Sequence, residues 1–137
     1  EALVRGREEV FFGWQFANKA STPAAVPGYA VNYYVEAITR DPDALHCSFE
    51  PYRAIDQTVE QNIRRQDRRQ DRRLQLPVLA IGGADGIGEA VAATMRLVAD
   101  DVTPVLLEHC GHYVADEAPE DMLEALEPFL APYAAGI

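Results

Sequence analysis

The chain has 137 residues, room for one domain, and 48% apolar content, enough for a hydrophobic core rather than a disordered chain. Its net charge of −10 argues against nucleic acid as a partner. No apolar run approaches a membrane span and no leader pattern is visible, so the expectation is a soluble protein with no membrane association, the cytoplasm being the favoured compartment. Cys47 and Cys110 are too few for a disulfide framework and read as free thiols.

Residues 5–18 repeat as a helix, with Val10 and Trp14 on one line and Phe12 and Phe16 on another. Phe11, Phe12, Trp14 and Phe16 crowd more than one face, which predicts a helix deeply buried or lining an apolar cavity. Residues 21–28, with two prolines and a glycine, are a loop. Pro27 suits a first helical position, and Val31, Tyr34, Val35 and Ile38 mark one face of a helix ending near Arg40. After the turn at Asp41-Pro42-Asp43 the helical pattern resumes over residues 44–54 and continues through Ile55, Val59 and Ile63. Residues 64–73 hold six arginines and two aspartates, a local +4 that leaves −14 elsewhere. They read as a solvated helix face with i,i+3 or i,i+4 pairs.

Then the pattern changes. Residues 76–81 form an apolar run closed by Gly82-Gly83, a buried strand. Residues 87–99 return to helical spacing through Val91, Met95 and Val98, and residues 102–107 are a second apolar strand. That strand delivers residues 108–113, Glu-His-Cys-Gly-His-Tyr, onto a loop. Pro119 opens a last helix with Glu120 and Asp121 in its first turn, where the macrodipole favours anions. Met122, Leu123, Leu126, Phe129 and Leu130 form its expected buried stripe. The fold class is therefore α/β, with a helical part at residues 1–73 and a strand-helix-strand part at 74–137. Chemistry gathers at the carboxyl ends of parallel strands, where both Gly82-Gly83 and His112 fall. Two parallel strands are too few for a sheet covered on both faces. The chain is thus expected to be the carboxyl-terminal part of a larger unit, completed by the same protein or by another chain.

Leu76-Pro-Val-Leu-Ala-Ile-Gly-Gly83, Met95-Arg-Leu-Val-Ala-Asp-Asp-Val102 and Gly111-His-Tyr-Val-Ala-Asp-Glu-Ala-Pro-Glu120 resemble the end of an α/β-hydrolase. The resemblance is closest to the epoxide hydrolase and haloacid dehalogenase branch. Leu3-Val-Arg-Gly-Arg-Glu-Glu9 with the aromatic helix, and Phe49-Glu-Pro-Tyr-Arg-Ala54, resemble that branch's helical cap. The resemblance implies an epoxide hydrolase that makes a vicinal diol from a small apolar epoxide without cofactor or metal. His112 matches the catalytic histidine that activates water against an aspartyl ester, and Tyr52 matches the cap tyrosine that hydrogen-bonds the epoxide oxygen. Phe12 and Trp14 are candidates to line the substrate pocket, with Tyr113 beside the histidine. Asp85, next to the aligned position Gly86, is the candidate triad acid, unless that acid follows the preceding strand as in some members. No nucleophile elbow occurs: Ser21 and Ser48 are the only serines, both in the helical part, so the nucleophile is expected outside this chain.

Within the same fold a dehalogenase or serine esterase is the alternative, and an inactive relative binding a ligand or partner is another. A homo-oligomer also stays open. Gly82-Gly-Ala-Asp-Gly86-Ile-Gly88 also fits the glycine turn of short-chain dehydrogenases, with Glu108 near the place of a ribose-binding acid. That motif should open a cofactor domain, yet only 49 residues follow Gly88, and the only lysine is Lys19. His46, Cys47, His109, Cys110 and His112 lack a standard zinc spacing, and His109 reads as structural.

Overall fold

The structure, a computed structural model, describes residues 1–68 and 73–134, with the backbone alone at 66–68. The chain divides into two compact units. One comprises Glu1–Gln15 and Gly28–Arg73; the other comprises Phe16–Pro27 and Leu74–Ile137. The helical-to-α/β switch at residue 73 is thus also a division between units, and the loop after the first helix groups with the α/β unit.

The helical unit holds most of α1 (Glu8–Lys19), then α2 (Gly28–Arg40), α3 (Ala44–Arg53) and α4 (Ile55–Arg68). α2 opens one residue after Pro27, whose fixed φ leads into the helix without occupying it. Pro51 lies inside α3 and supplies no N–H to its ladder, and the helix stops two residues later. The Ala54 N–H donates back to the Glu50 and Tyr52 carbonyls, which closes α3 before α4 starts. Val4, Val35 and Leu45 are buried, and α3 packs on α2 and α4. Phe12, Phe11, Phe49 and Tyr52 form a chain of ring contacts with successive centroids 5.1, 5.8 and 6.4 Å apart. Of the two expectations for the aromatic helix, deep burial or the lining of an apolar cavity, deep burial is not met. Phe11, Phe12 and Phe16 are half-buried, whereas Val10 and Trp14 are exposed. Four large rings in six residues are spread around the cylinder, so one packing face cannot cover them all. Arg64 pairs with Glu60 on an exposed face of α4, where Arg65 is exposed too; the remainder of the arginine run, apart from Arg73, lies outside the described side chains.

In the α/β unit, β1 (Val78–Gly83) pairs in parallel with β2 (Val102–Leu107), from Val78 opposite Val102 to Gly83 opposite Leu107. An isolated parallel bridge between Leu74 and Ala99 lies just before the two strands. α5 (Ala90–Arg96) makes the crossover and packs on both strands, with Ala80 and Ala92 buried. It is shorter than the helix expected over 87–99. Gly88 sits at φ +52, and the Gly86 and Gly88 N–H groups both donate to the Gly83 carbonyl at 3.0 Å, which keeps residues 83–88 in a turn. At the exit, three-residue hydrogen bonds from Leu97 to Thr94 and from Val98 to Met95 tighten the last turn. α6 (Val114–Glu117) is one turn, followed by α7 (Pro119–Ala134), which packs on both strands. The expected stripe of α7 is only partly covered: Met122, Leu126 and Phe129 are half-buried, and Leu123 and Leu130 are exposed. A two-stranded sheet offers too little surface to bury a whole helical face. No helix among the described residues is long and apolar enough to cross a membrane.

Leu45 is 3% exposed at the centre of the helical unit. Leu45→Ala should destabilise by about 2–5 kcal/mol through lost transfer energy and the cavity left behind. A chemical-denaturation midpoint equal to wild type would place Leu45 outside the core.

Candidate active site

The site grows from the carboxyl ends of β1 and β2. Leu107 is buried at the end of β2, and its carbonyl accepts the Ala84 N–H at 2.9 Å. The chain then reverses at His109, whose φ of 55 is left-handed, and drives Cys110 into complete burial. The Cys110 carbonyl accepts the Asp85 N–H at 2.9 Å, so the two strand-end loops are joined at two points. Burial, helped by the carboxylates of Glu117, Asp85 and Asp121, pushes the Cys110 thiol above its ordinary range. It stays a protonated packing group rather than a nucleophile or ligand.

Close packing of main chains fixes the next residues. A side chain on Gly83 would occupy the positions of the Cys110 and Gly111 carbonyls. A Cβ on Gly111 would lie 2.5 Å from the Ser21 nitrogen and 2.6 Å from both the Ala20 carbonyl carbon and the Lys19 oxygen. Only glycine lets the loop lie against residues 19–21 this closely. The His112 N–H then donates to the Lys19 carbonyl at 2.9 Å. The glycine-rich turn after β1 thus has its missing side-chain space filled by the histidine loop, with the Gly111 oxygen 2.9 Å from a Cβ built on Gly86. A dinucleotide pyrophosphate requires that space to be open.

Glu117, to which sequence reasoning gave no role, supplies the other half of the scaffold. Its carboxylate accepts N–H bonds from Gly111 at 2.9 Å, Tyr113 at 2.8 Å and Ser21 at 2.7 Å. Burial raises the Glu117 pKa, but the backbone donors of Ser21, Tyr113 and Gly111 and the Ser21 side chain outweigh it. The carboxyl is therefore held below its ordinary value. The signal was a glutamate five residues after the histidine, inside a stretch already resembling a known family. What hid it was α6, a single turn too short to leave a periodic pattern.

His112 is exposed, with its backbone fixed on Lys19 and its ring edge-on to Tyr113 at 5.2 Å between centroids. Tyr113 is half-buried and packs on Phe16 at 4.6 Å. The structure therefore brings His112, Tyr113 and the backbone of Asp85 together. The Asp85 side chain is exposed, and among the described residues no hydrogen bond joins it to the His112 ring. Tyr52 and Phe12 lie in the helical unit, linked through Phe11 and Phe49, and Tyr52 is exposed. Trp14 is in that unit as well and exposed. Among the described residues no three His, Cys, Asp or Glu side chains gather as metal ligands would. An exposed imidazole on a rigid loop can exchange protons with water or a bound group without moving its backbone.

No protein-family model matches the chain. Over 59 residues, 43% of the chain, it is 34% identical to the soluble epoxide hydrolase of Corynebacterium sp. (strain C12), of which the match covers 20%. Among solved structures, Cfl2 of Burkholderia cenocepacia superposes with a TM-score of 0.80 at 28% identity, over 93% of this chain and 42% of that one. The epoxide hydrolase CorEH, solved without ligand, gives 0.85 at 21% identity, over 96% and 45%. ALR0039 of Nostoc sp. PCC 7120, named as an alpha/beta hydrolase, gives 0.77 at 27% identity, over 94% and 44%. The chain spans less than half the length of each of these structures.

The depressed Glu117 carboxyl makes the loop acid-sensitive. Its contribution to stability is complete above the ordinary value of 4.5 and is lost as pH falls through the lower folded value. The amide proton resonances of Ser21, Gly111 and Tyr113 should therefore move together in an acid titration, with one midpoint below 4.5. Three independent midpoints, or none, would show that no shared carboxylate holds them.

Proposed function

Because the chain belongs to the α/β-hydrolase superfamily, we propose that it carries the histidine base and the cap tyrosine of an epoxide hydrolase. The nucleophilic aspartate would lie beyond these 137 residues. Residues 1–73 would form the helical cap and its linker, and residues 74–137 the last strands and helices of the core. The observation that carries the reading is His112: an exposed imidazole at the end of a parallel strand, on a loop whose backbone is held from both sides. The sequence match to a soluble epoxide hydrolase supports epoxides over esters or halides as substrates.

In the proposed reaction the aspartate attacks one epoxide carbon. A carbon–oxygen ester bond forms, the ring carbon–oxygen bond breaks, and the Tyr52 phenol stabilises and protonates the developing alkoxide. His112 then takes a proton from water as hydroxide adds to the ester carbonyl. Collapse of that adduct breaks the ester carbon–oxygen bond; the departing alkoxide takes the proton of the new carboxyl group and leaves as the diol, which restores the carboxylate, and the His112 proton returns to the Tyr52 phenolate through water. Phe12 and Trp14 would give the cap an apolar wall, and Tyr113 would pack beside the base. Asp85 would be the acid that orients the imidazole. The substrate would be a small apolar epoxide, and the partner of this chain the amino-terminal half of the hydrolase fold.

In the full-length enzyme, His112→Gln should abolish ester hydrolysis while leaving alkylation intact. A substrate-sized mass increase on the protein would then persist after mixing with styrene oxide. Turnover equal to wild type would remove His112 from the mechanism. Tyr52→Phe should lower the alkylation rate by about 10²-fold, the loss typical of one donor to a developing oxyanion. Single-turnover rapid quench measures it, and an unchanged rate would return Tyr52 to a packing role.

A further inference from the structure

We propose that Glu117 is the positioning residue of the His112 base, acting through the backbone of the histidine loop. The role rests on the reading of His112 as the base that hydrolyses the ester. Three consecutive amides, at Gly111, His112 and Tyr113, are each committed to a named acceptor, and the two that flank the histidine both go to Glu117. One carboxylate oxygen takes Gly111 and Ser21, and the other takes Tyr113. The α6 turn returns the side chain to the loop from four and six residues downstream. The imidazole itself is exposed, with an edge contact to Tyr113, so its placement depends on where its Cα is held.

The chemistry of the acceptor matters as much as its reach. Three N–H donors converge on one carboxylate, which has lone pairs for all of them and a charge that shortens each bond. A glutamine of the same shape has one acceptor oxygen and turns an NH2 toward donors. It leaves at least one half-buried amide without a partner and lets the loop relax. Alkylation uses the nucleophile and the cap tyrosine, so it does not require the imidazole in register. Ester hydrolysis does, because water must sit between the ring and the ester carbonyl. Displacements on the order of 1 Å cost about a hundredfold in such steps.

The test is single-turnover kinetics on the full-length enzyme with styrene oxide, comparing wild type, Glu117→Gln and His112→Gln. Glu117→Gln should form the ester at a rate within about threefold of wild type and hydrolyse it about tenfold to a hundredfold more slowly. Intact mass should show the ester accumulating in the steady state. Equal losses in both steps, or no loss in either, would overturn the proposal, because a merely structural role does not separate the half-reactions. If His112→Gln accumulates no ester, the hydrolase reading itself fails. If it does while Glu117→Gln behaves as wild type, only the Glu117 role fails. Should Glu117→Gln not fold, Glu117→Asp keeps the charge one methylene short and should show the same separation with a smaller loss. Failure of both to fold would assign Glu117 to the scaffold alone.

Discussion

The α/β unit depends on a close approach of three main-chain segments: the turn after β1, the histidine loop after β2, and residues 19–21 at the end of α1. Glycines at 83 and 111 make the approach sterically allowed, because a Cβ at either would stand on backbone atoms of a neighbour. Backbone atoms cannot rotate away as a long side chain can, so relief would require moving a segment. Hydrogen bonds then close the contact: Ala84 to Leu107, Asp85 to Cys110 and His112 to Lys19. Strand ends of this kind are where α/β folds place their chemistry, because the loops diverge from a rigid edge.

Much of this was legible in the residues. Apolar runs located both strands: the first lies two residues later than expected, at Val78–Gly83 with both glycines inside it, and the second matched residue for residue. The helices emerged from spacing, although α5 was over-read. Val91, Met95 and Val98 fit a helical line, but Gly88 in the left-handed region and a tightened exit leave seven residues of α-helix. The burial of α1 and α7 was over-read for another reason. A periodic stripe shows which face would be buried, while the covering surface is a tertiary property that the stripe does not contain. Val10, Trp14, Leu123 and Leu130 are exposed in this chain on that account.

Candidate residues divide in the same way. The position of His112 on a loop between a strand end and a short helix was legible, because that is a local pattern. Glu117 could not be given a role, because its partners are amides at 21, 111 and 113, one of them 96 residues away in sequence. Asp85 became a candidate through its sequence proximity to the strand end, and the structure shows its backbone N–H on the histidine loop and its side chain exposed.

Cys110 and Glu117 illustrate how one loop can treat two acids in opposite ways. Both lose water, and for both, desolvation is the largest influence on the proton. Around Cys110 the neighbouring carboxylates add to that penalty, so the thiol keeps its proton. Around Glu117 three backbone donors and the Ser21 side chain reverse it, so the carboxyl gives its proton up. At neutral pH one is therefore uncharged filling and the other a fixed anion, and neither changes state. The backbone bonds that hold the amides of Gly111, His112 and Tyr113 therefore rest on acceptors whose charge does not change near neutral pH.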